Sequence, residues 1–371
     1  MKKLSLFALS LICALSSSAQ TLTDQQLREY AASMLMVGFK GSTADSKSDA
    51  ARYLRDLKVG GIILFDVDLT GDATIGSRNF VSREQVRQLT DSLRSFAGGR
   101  PFFIAADQEG GRVARLKTQY GFHPTVSAQH LGKVNKEDTT RKYSRIMAED
   151  LADAGINMNL GPILDVNINP NCPVIGKLLR SFSSDPNQVA KHAQWFIDEH
   201  AKKGIVCAVK HFPGHGSSTE DSHYGLTDIS STWSPKELIP YQTLIKAGKL
   251  KAVMSAHIFN RQLDPYQPGT LSQKMLTDLL RNHLLFDGII LSDDMYMKGI
   301  IDNYQISDAI IMAINAGVDM MIMGNNISTG YEPERPFHVV DIIVKAVKKG
   351  LIPEERIIDA HARITRILSE M

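Results

Sequence analysis

Cysteine is scarce, with three among 371 residues. Cys13 falls in the leader described below, so only Cys172 and Cys207 remain, and one pair cannot form a disulfide framework. Both are expected to be reduced and buried, Cys207 within a strand-like run. Charge of one sign is also missing, because 42 basic residues face 40 acidic ones and leave a net of +2. That balance argues against a partner chosen by bulk electrostatics, such as nucleic acid or an anionic membrane. Long apolar runs are absent after the first residues, so no transmembrane helix is expected. No Pro/Gly/Ser-rich linker interrupts the chain, which points to one domain. No HExxH or comparable ligand spacing appears, which argues against a zinc centre, although three His near Asp221 keep that reading open.

The beginning of the chain reads differently. Lys2 and Lys3 precede an apolar run at residues 4–15, and Ser17, Ser18 and Ala19 follow as small residues. This is the pattern of a secretory signal peptide cleaved after Ala19, leaving 20–371 as the catalytic unit of an exported, periplasmic protein. Ile12 is too bulky before Cys13 to favour lipid attachment there.

Alternation decides the fold class. Short apolar, β-branched runs occur at 34–39, 61–65, 101–106, 156–160, 206–209, 252–256, 288–292 and 318–323, each reading as a strand buried on both faces. Amphipathic stretches separate them. Asp185 with Pro186 starts a helix in which Val189, Ala193, Phe196 and Ile197 share a face that Gly204 ends. Tyr143, Ile146, Met147 and Leu151 make another stripe, stopped at Gly155. Ser234, Pro235 and Glu237 form a capping-box pattern opening a helix toward Leu244. Strand and helix repeated eight times predict an α/β fold, a single parallel (β/α)8 TIM barrel. A doubly wound open sheet is the alternative. Ile63, Ile104, Val253, Ile290 and Met321 are the expected core.

Barrel enzymes place their chemistry at the carboxyl ends of the strands. Polar residues follow the apolar runs directly: Asp107 the third, Lys210 and His211 the fifth, His257 the sixth, Asp293 and Asp294 the seventh, Asn325 the eighth. In residues 107–113 (DQEGGRV), two glycines permit a sharp turn, so the carboxylates, Arg112 and Arg115 can face a pocket. Such carboxylate and guanidinium groups suit vicinal hydroxyls, although a capped turn with a local salt bridge explains the spacing equally well. Residues 210–216 (KHFPGHG) open a long loop to about Asp228 that carries Asp221 and His223. A carboxylate two residues from an imidazole can orient it and raise its basicity. A carboxylate at a strand end such as Asp293 can attack an anomeric carbon. Asp294 suits a helix N-cap better.

Taken together, 107–113 (DQEGGRV), 180–182 (RSF), 210–216 (KHFPGHG), 221–223 (DSH) and 292–295 (SDDM) resemble glycoside hydrolase family 3. Within it they look like the single-domain bacterial β-N-acetylglucosaminidases linked to peptidoglycan turnover. The resemblance implies Asp293 as nucleophile, His223 as acid/base and Asp221 as its dyad partner on a mobile loop. It implies Asp107, Arg115, Arg180, Lys210 and His211 as ligands of the non-reducing N-acetylglucosamine. Most other members of the family draw the acid/base from a second domain. Because neutral His does not repel an anion, phosphorolysis is an alternative to hydrolysis, as is β-glucosidase activity. The expected partner is a GlcNAc-containing oligosaccharide or muropeptide. No cofactor is called for, and a monomer is expected.

Overall fold

Eight short strands close on themselves in chain order in the computed structural model, which describes residues 22–71, 73–221, 225–327 and 330–371. They are β1 Leu35–Gly38, β2 Gly61–Ile63, β3 Phe103–Ala106, β4 Met158–Asn159, β5 Val206–Phe212, β6 Ala252–Ser255, β7 Ile289–Asp294 and β8 Met320–Met323. Every neighbouring pair is parallel, and Leu35 opposite Met321 closes the ring. The TIM barrel is therefore the fold, and the open sheet is excluded. All eight apolar runs became strands, and Ile63, Ile104, Val253, Ile290 and Met321 are buried in the common core. Cys172 and Cys207 are free and buried. Among the described residues no helix is long and apolar enough to cross a membrane.

The strands differ by one to three residues from their apolar runs, β4 and β5 most of all, for local reasons. β4 is shorter than its apolar run because asparagines take up backbone groups beside it. The Asn157 side-chain oxygen accepts from Ile104 N at 2.6 Å, and that of Asn159 from Gln108 N at 3.0 Å. β5 is longer, carrying Lys210 and His211 within the strand, with a register irregularity between Val209 and Phe212.

Helices cover the outside of the barrel. Asp185 caps Pro186–Ala201 by accepting from Asn187 N, and its apolar stripe is buried as expected. Glu137–Asp153 buries Met147 and Leu151. The expected capping box at Ser234 did not form. Ser234 caps a short 3-10 turn, Pro235–Leu238, before the helix Ile239–Lys246, and Glu237 points into the protein. Its Oε2 accepts from Gly216 N at 3.0 Å, satisfying a buried amide of the loop after β5. The terminal helix, Glu354–Ser369, lies outside the barrel beside Asp24–Ser33.

Candidate active site

A cavity of about 470 Å³ opens at the carboxyl ends of the strands. Its floor is the barrel's own apolar layer, including Ile63, Leu160, Met254 and Ile322. Asp107, Arg115, Arg180, Lys210, His211, Asp221 and Asp293 all line it, so seven of the eight proposed site residues converge on one space. His223, the eighth, lies outside the described residues.

The convergence follows from local structure. Gln108–Gly110 and Val113–Ala114 form a two-stranded hairpin. Its turn needs glycine, because Gly111 has φ 63 and an added Cβ would lie 2.8 Å from Ser127 Cα. The hairpin brings Arg115 back over Asp107, with Arg115 Nη2 donating to Asp107 Oδ2 at 3.0 Å. Arg112 goes the other way. It is exposed and donates to Lys177 O, so its expected place in the pocket is corrected.

Lys210 reaches from β5 to Asp107 Oδ1 at 2.6 Å and to Glu109 Oε1 at 2.8 Å. Arg180 grips Glu109 with two bonds, Nε to Oε2 at 2.8 Å and Nη2 to Oε1 at 2.7 Å. Burial alone would raise both carboxyls. The positive charges outweigh it, with Lys210 and Arg115 holding Asp107 well below the usual range and Arg180 and Lys210 bringing Glu109 down to about 2. The site therefore keeps fixed, ionised acceptors beside fixed donors, an arrangement matched to sugar hydroxyls.

His211 is oriented from behind. Its Nδ1 lies 2.7 Å from Asp165 Oδ2, and Asp165 Oδ1 accepts from His215 N at 2.8 Å. The loop leaves the strand tightly packed, since a Cβ on Gly216 would fall 1.8 Å from Val166 O. At the end of β7, Asp294 N donates to Asp293 Oδ1 at 2.8 Å, fixing one oxygen of the cavity-lining carboxyl. Asn325 faces away from this chemistry and ties down the following loop through Glu332 and Arg335.

Sequence reasoning missed Asp66 and Asp165. Asp66 lines the cavity and accepts from Arg115 at 3.2 Å and from Lys117. Each is a lone carboxylate closing an apolar run, and a buried charge requires a partner. The strand-end rule that found Asp107 would have found Asp66 as well. Among the described residues no group of three or more His, Cys, Asp or Glu is arranged to hold a metal ion.

A blind, water-facing pocket with paired carboxylate, guanidinium and ammonium groups at a barrel mouth fits an enzyme acting on polyhydroxylated substrates. The glycosyl hydrolase family 3 N-terminal domain matches residues 26–367. A β-hexosaminidase of Tolumonas auensis is 36% identical over 295 residues, covering 79% of this chain and 83% of the relative. Among solved structures, a family 3 β-N-acetylglucosaminidase from Paenibacillus sp. str. FPU-7 superposes with a TM-score of 0.83 at 31% identity. That match covers 94% of this chain and 63% of the longer Paenibacillus chain. A β-N-acetylhexosaminidase from Beutenbergia cavernae gives a TM-score of 0.80 at 26% identity, covering 92% and 98%. The chain belongs to glycosyl hydrolase family 3 and is a glycoside hydrolase.

Proposed function

We propose that the protein is a retaining exo-β-N-acetylglucosaminidase acting on terminal GlcNAc of peptidoglycan fragments or other GlcNAc-containing glycans, through a covalent glycosyl ester on Asp293. The observation that carries this reading is the shared cavity. Asp293 on the rigid end of β7 and Asp221 on the loop after β5 line the same blind pocket as the paired charges. A pocket floored by the barrel core admits a glycan by its end, which supports exo-action. The N-acetylhexosamine preference is supported by the relatives, a β-hexosaminidase and a β-N-acetylglucosaminidase.

In this mechanism Asp107, Arg115, Arg180, Lys210 and His211 bind the hydroxyls of the terminal sugar. Asp293 attacks the anomeric carbon while His223, polarised by Asp221, protonates the leaving oxygen. Water, giving its proton to His223 as base, then attacks the anomeric carbon and releases the Asp293 carboxylate, so a second inversion restores the configuration. General acid help of this kind contributes about 10²–10⁴-fold. The apolar leader supports export to the periplasm, where the enzyme acts as a monomer.

The test is release of nitrophenol from aryl β-GlcNAc by wild type, Asp293→Asn and His223→Ala, with and without phosphate and against the aryl β-glucoside. The reading expects GlcNAc release by wild type, near-complete loss in Asp293→Asn, and loss in His223→Ala that is steepest for poor leaving groups. No GlcNAc release by wild type sinks it. A phosphate-dependent rate yielding sugar 1-phosphate replaces hydrolysis by phosphorolysis.

A further inference from the structure

Asp294 lines the cavity next to the proposed nucleophile yet pairs with none of the sugar-binding groups described above. It is fastened on four sides. Its N–H holds Asp293 Oδ1 at 2.8 Å, and its carboxyl accepts from Tyr296 N at 3.0 Å and from Gly324 N, beyond β8, at 3.1 Å. Its carbonyl lies 2.9 Å from His257 Nε2, a ring from the loop after β6. A carbonyl only accepts, so His257 Nε2 is the donor, and in the neutral ring Nδ1 then accepts from Thr270 Oγ1 at 2.9 Å. Ser255 Oγ lies 2.9 Å from Thr270 Oγ1 and 3.1 Å from Leu291 O of β7, and with the Thr270 proton on His257 the single Ser255 proton serves one of these two acceptors. His257, Thr270 and Ser255 are fully buried, and a Cβ on Gly324 would lie 2.5 Å from Asp294 Oδ2, so a larger residue there would displace that carboxyl.

A strand end needs none of this merely to stay in the sheet. Two neighbouring elements, the segments after β6 and β8, and its own turn all hydrogen-bond one residue whose amide points at the reacting carboxyl. We propose that Asp294, locked by His257 and Gly324, is a positioning residue that aims the Asp293 carboxyl at the anomeric carbon. The inference rests on Asp293 being the nucleophile. In Asp294→Asn one side-chain oxygen becomes an amide donor facing the N–H of Tyr296 or Gly324, so the clamp must shift. A displacement of about 1 Å at a reacting group costs on the order of 10²-fold in rate.

The experiment measures kcat and KM on an aryl β-GlcNAc for Asp294→Asn, His257→Leu, His257→Gln and Asp293→Asn, with a thermal melt for each. The expected result is a kcat about 10²-fold lower for Asp294→Asn and His257→Leu, with KM within about threefold. His257→Gln, which keeps a side-chain N–H donor, recovers at least about tenfold of the His257→Leu loss. The proposal is overturned if Asp293→Asn is dead while Asp294→Asn and His257→Leu keep kcat within about twofold of wild type. It is also overturned if kcat and KM worsen together in step with a lowered melting temperature and His257→Gln gives no recovery. An active Asp293→Asn removes the nucleophile assignment itself, and the proposal falls with it.

Discussion

The two ends of this barrel carry buried charge clusters of similar chemistry and opposite consequence. At the amino-terminal end, Asp319 precedes β8 and binds Arg281 and Arg356, with Arg363 at 3.6 Å. Those guanidinium groups are used up by backbone carbonyls: Arg281 donates to Phe286 O at 2.9 Å, and Arg356 to Ile314 O at 3.1 Å and Val318 O at 2.9 Å. The cluster ties the terminal helix to the start of β8. At the carboxyl-terminal end, Asp107, Glu109, Arg115, Arg180 and Lys210 mostly pair with one another around a cavity. Buried ion pairs are weak evidence for stability and weaker still for function. What distinguishes a site is that its pairs face a space a ligand can enter.

The largest test of that contrast exchanges the two ends. Arg180→Ala should lower kcat/KM by at least about 10²-fold, since it removes a proposed sugar contact and leaves Glu109 partly unpaired. Arg281→Ala should instead cost about 3–5 kcal/mol of stability, read from urea melts, with kcat/KM of the folded enzyme within about threefold. Equal kinetic losses, measured where both variants are folded, would erase the distinction.

A middle-sized effect concerns the loop that joins site and scaffold. Burial pushes the Glu237 carboxyl up to about 8, and the charge of Asp165 adds to the push. The native protein thus holds a proton that the unfolded chain releases near 4.3. That contribution to stability is complete below the unfolded value and is lost as pH rises through about 8. Glu237→Gln should therefore lose less stability than wild type between pH 5 and 9, the slopes differing by up to about 1.4 kcal/mol per pH unit. Parallel slopes in urea melts would show that Glu237 stays ionised. The smallest effect belongs to Arg112→Ala. With the side chain exposed, kcat/KM should stay within about twofold and stability within about 0.5 kcal/mol. A tenfold kinetic loss would return Arg112 to the pocket.

The barrel was legible in the sequence because each strand is a short apolar run between helices with strong stop signals, such as Gly155 after Glu137–Asp153. The strand-end rule then located Asp107, Lys210, His211 and Asp293 at the cavity, and the family motifs added Arg180 and Asp221, which line the same space. What the pattern hid were residues acting across the chain. Glu237 reads locally as a cap, but its partner Gly216 is 21 positions away. Asp165 reads as a break in an apolar run until its partner His211, 46 positions on, is known. Asp294 looked like a helix cap. It does accept from Tyr296 N in its own turn, yet it also binds Gly324 and His257, 30 and 37 positions distant.

The central claim is that Asp293 forms a bond to the sugar. The direct measurement is peptide mass mapping after incubation with a fluorinated β-GlcNAc donor whose glycosyl ester hydrolyses slowly. The account predicts one added glycosyl mass, on Asp293 in the peptide containing Ser292, Asp293 and Asp294, and none in Asp293→Asn. An adduct on any other residue, or steady turnover of the donor with inversion at the anomeric carbon, would contradict it.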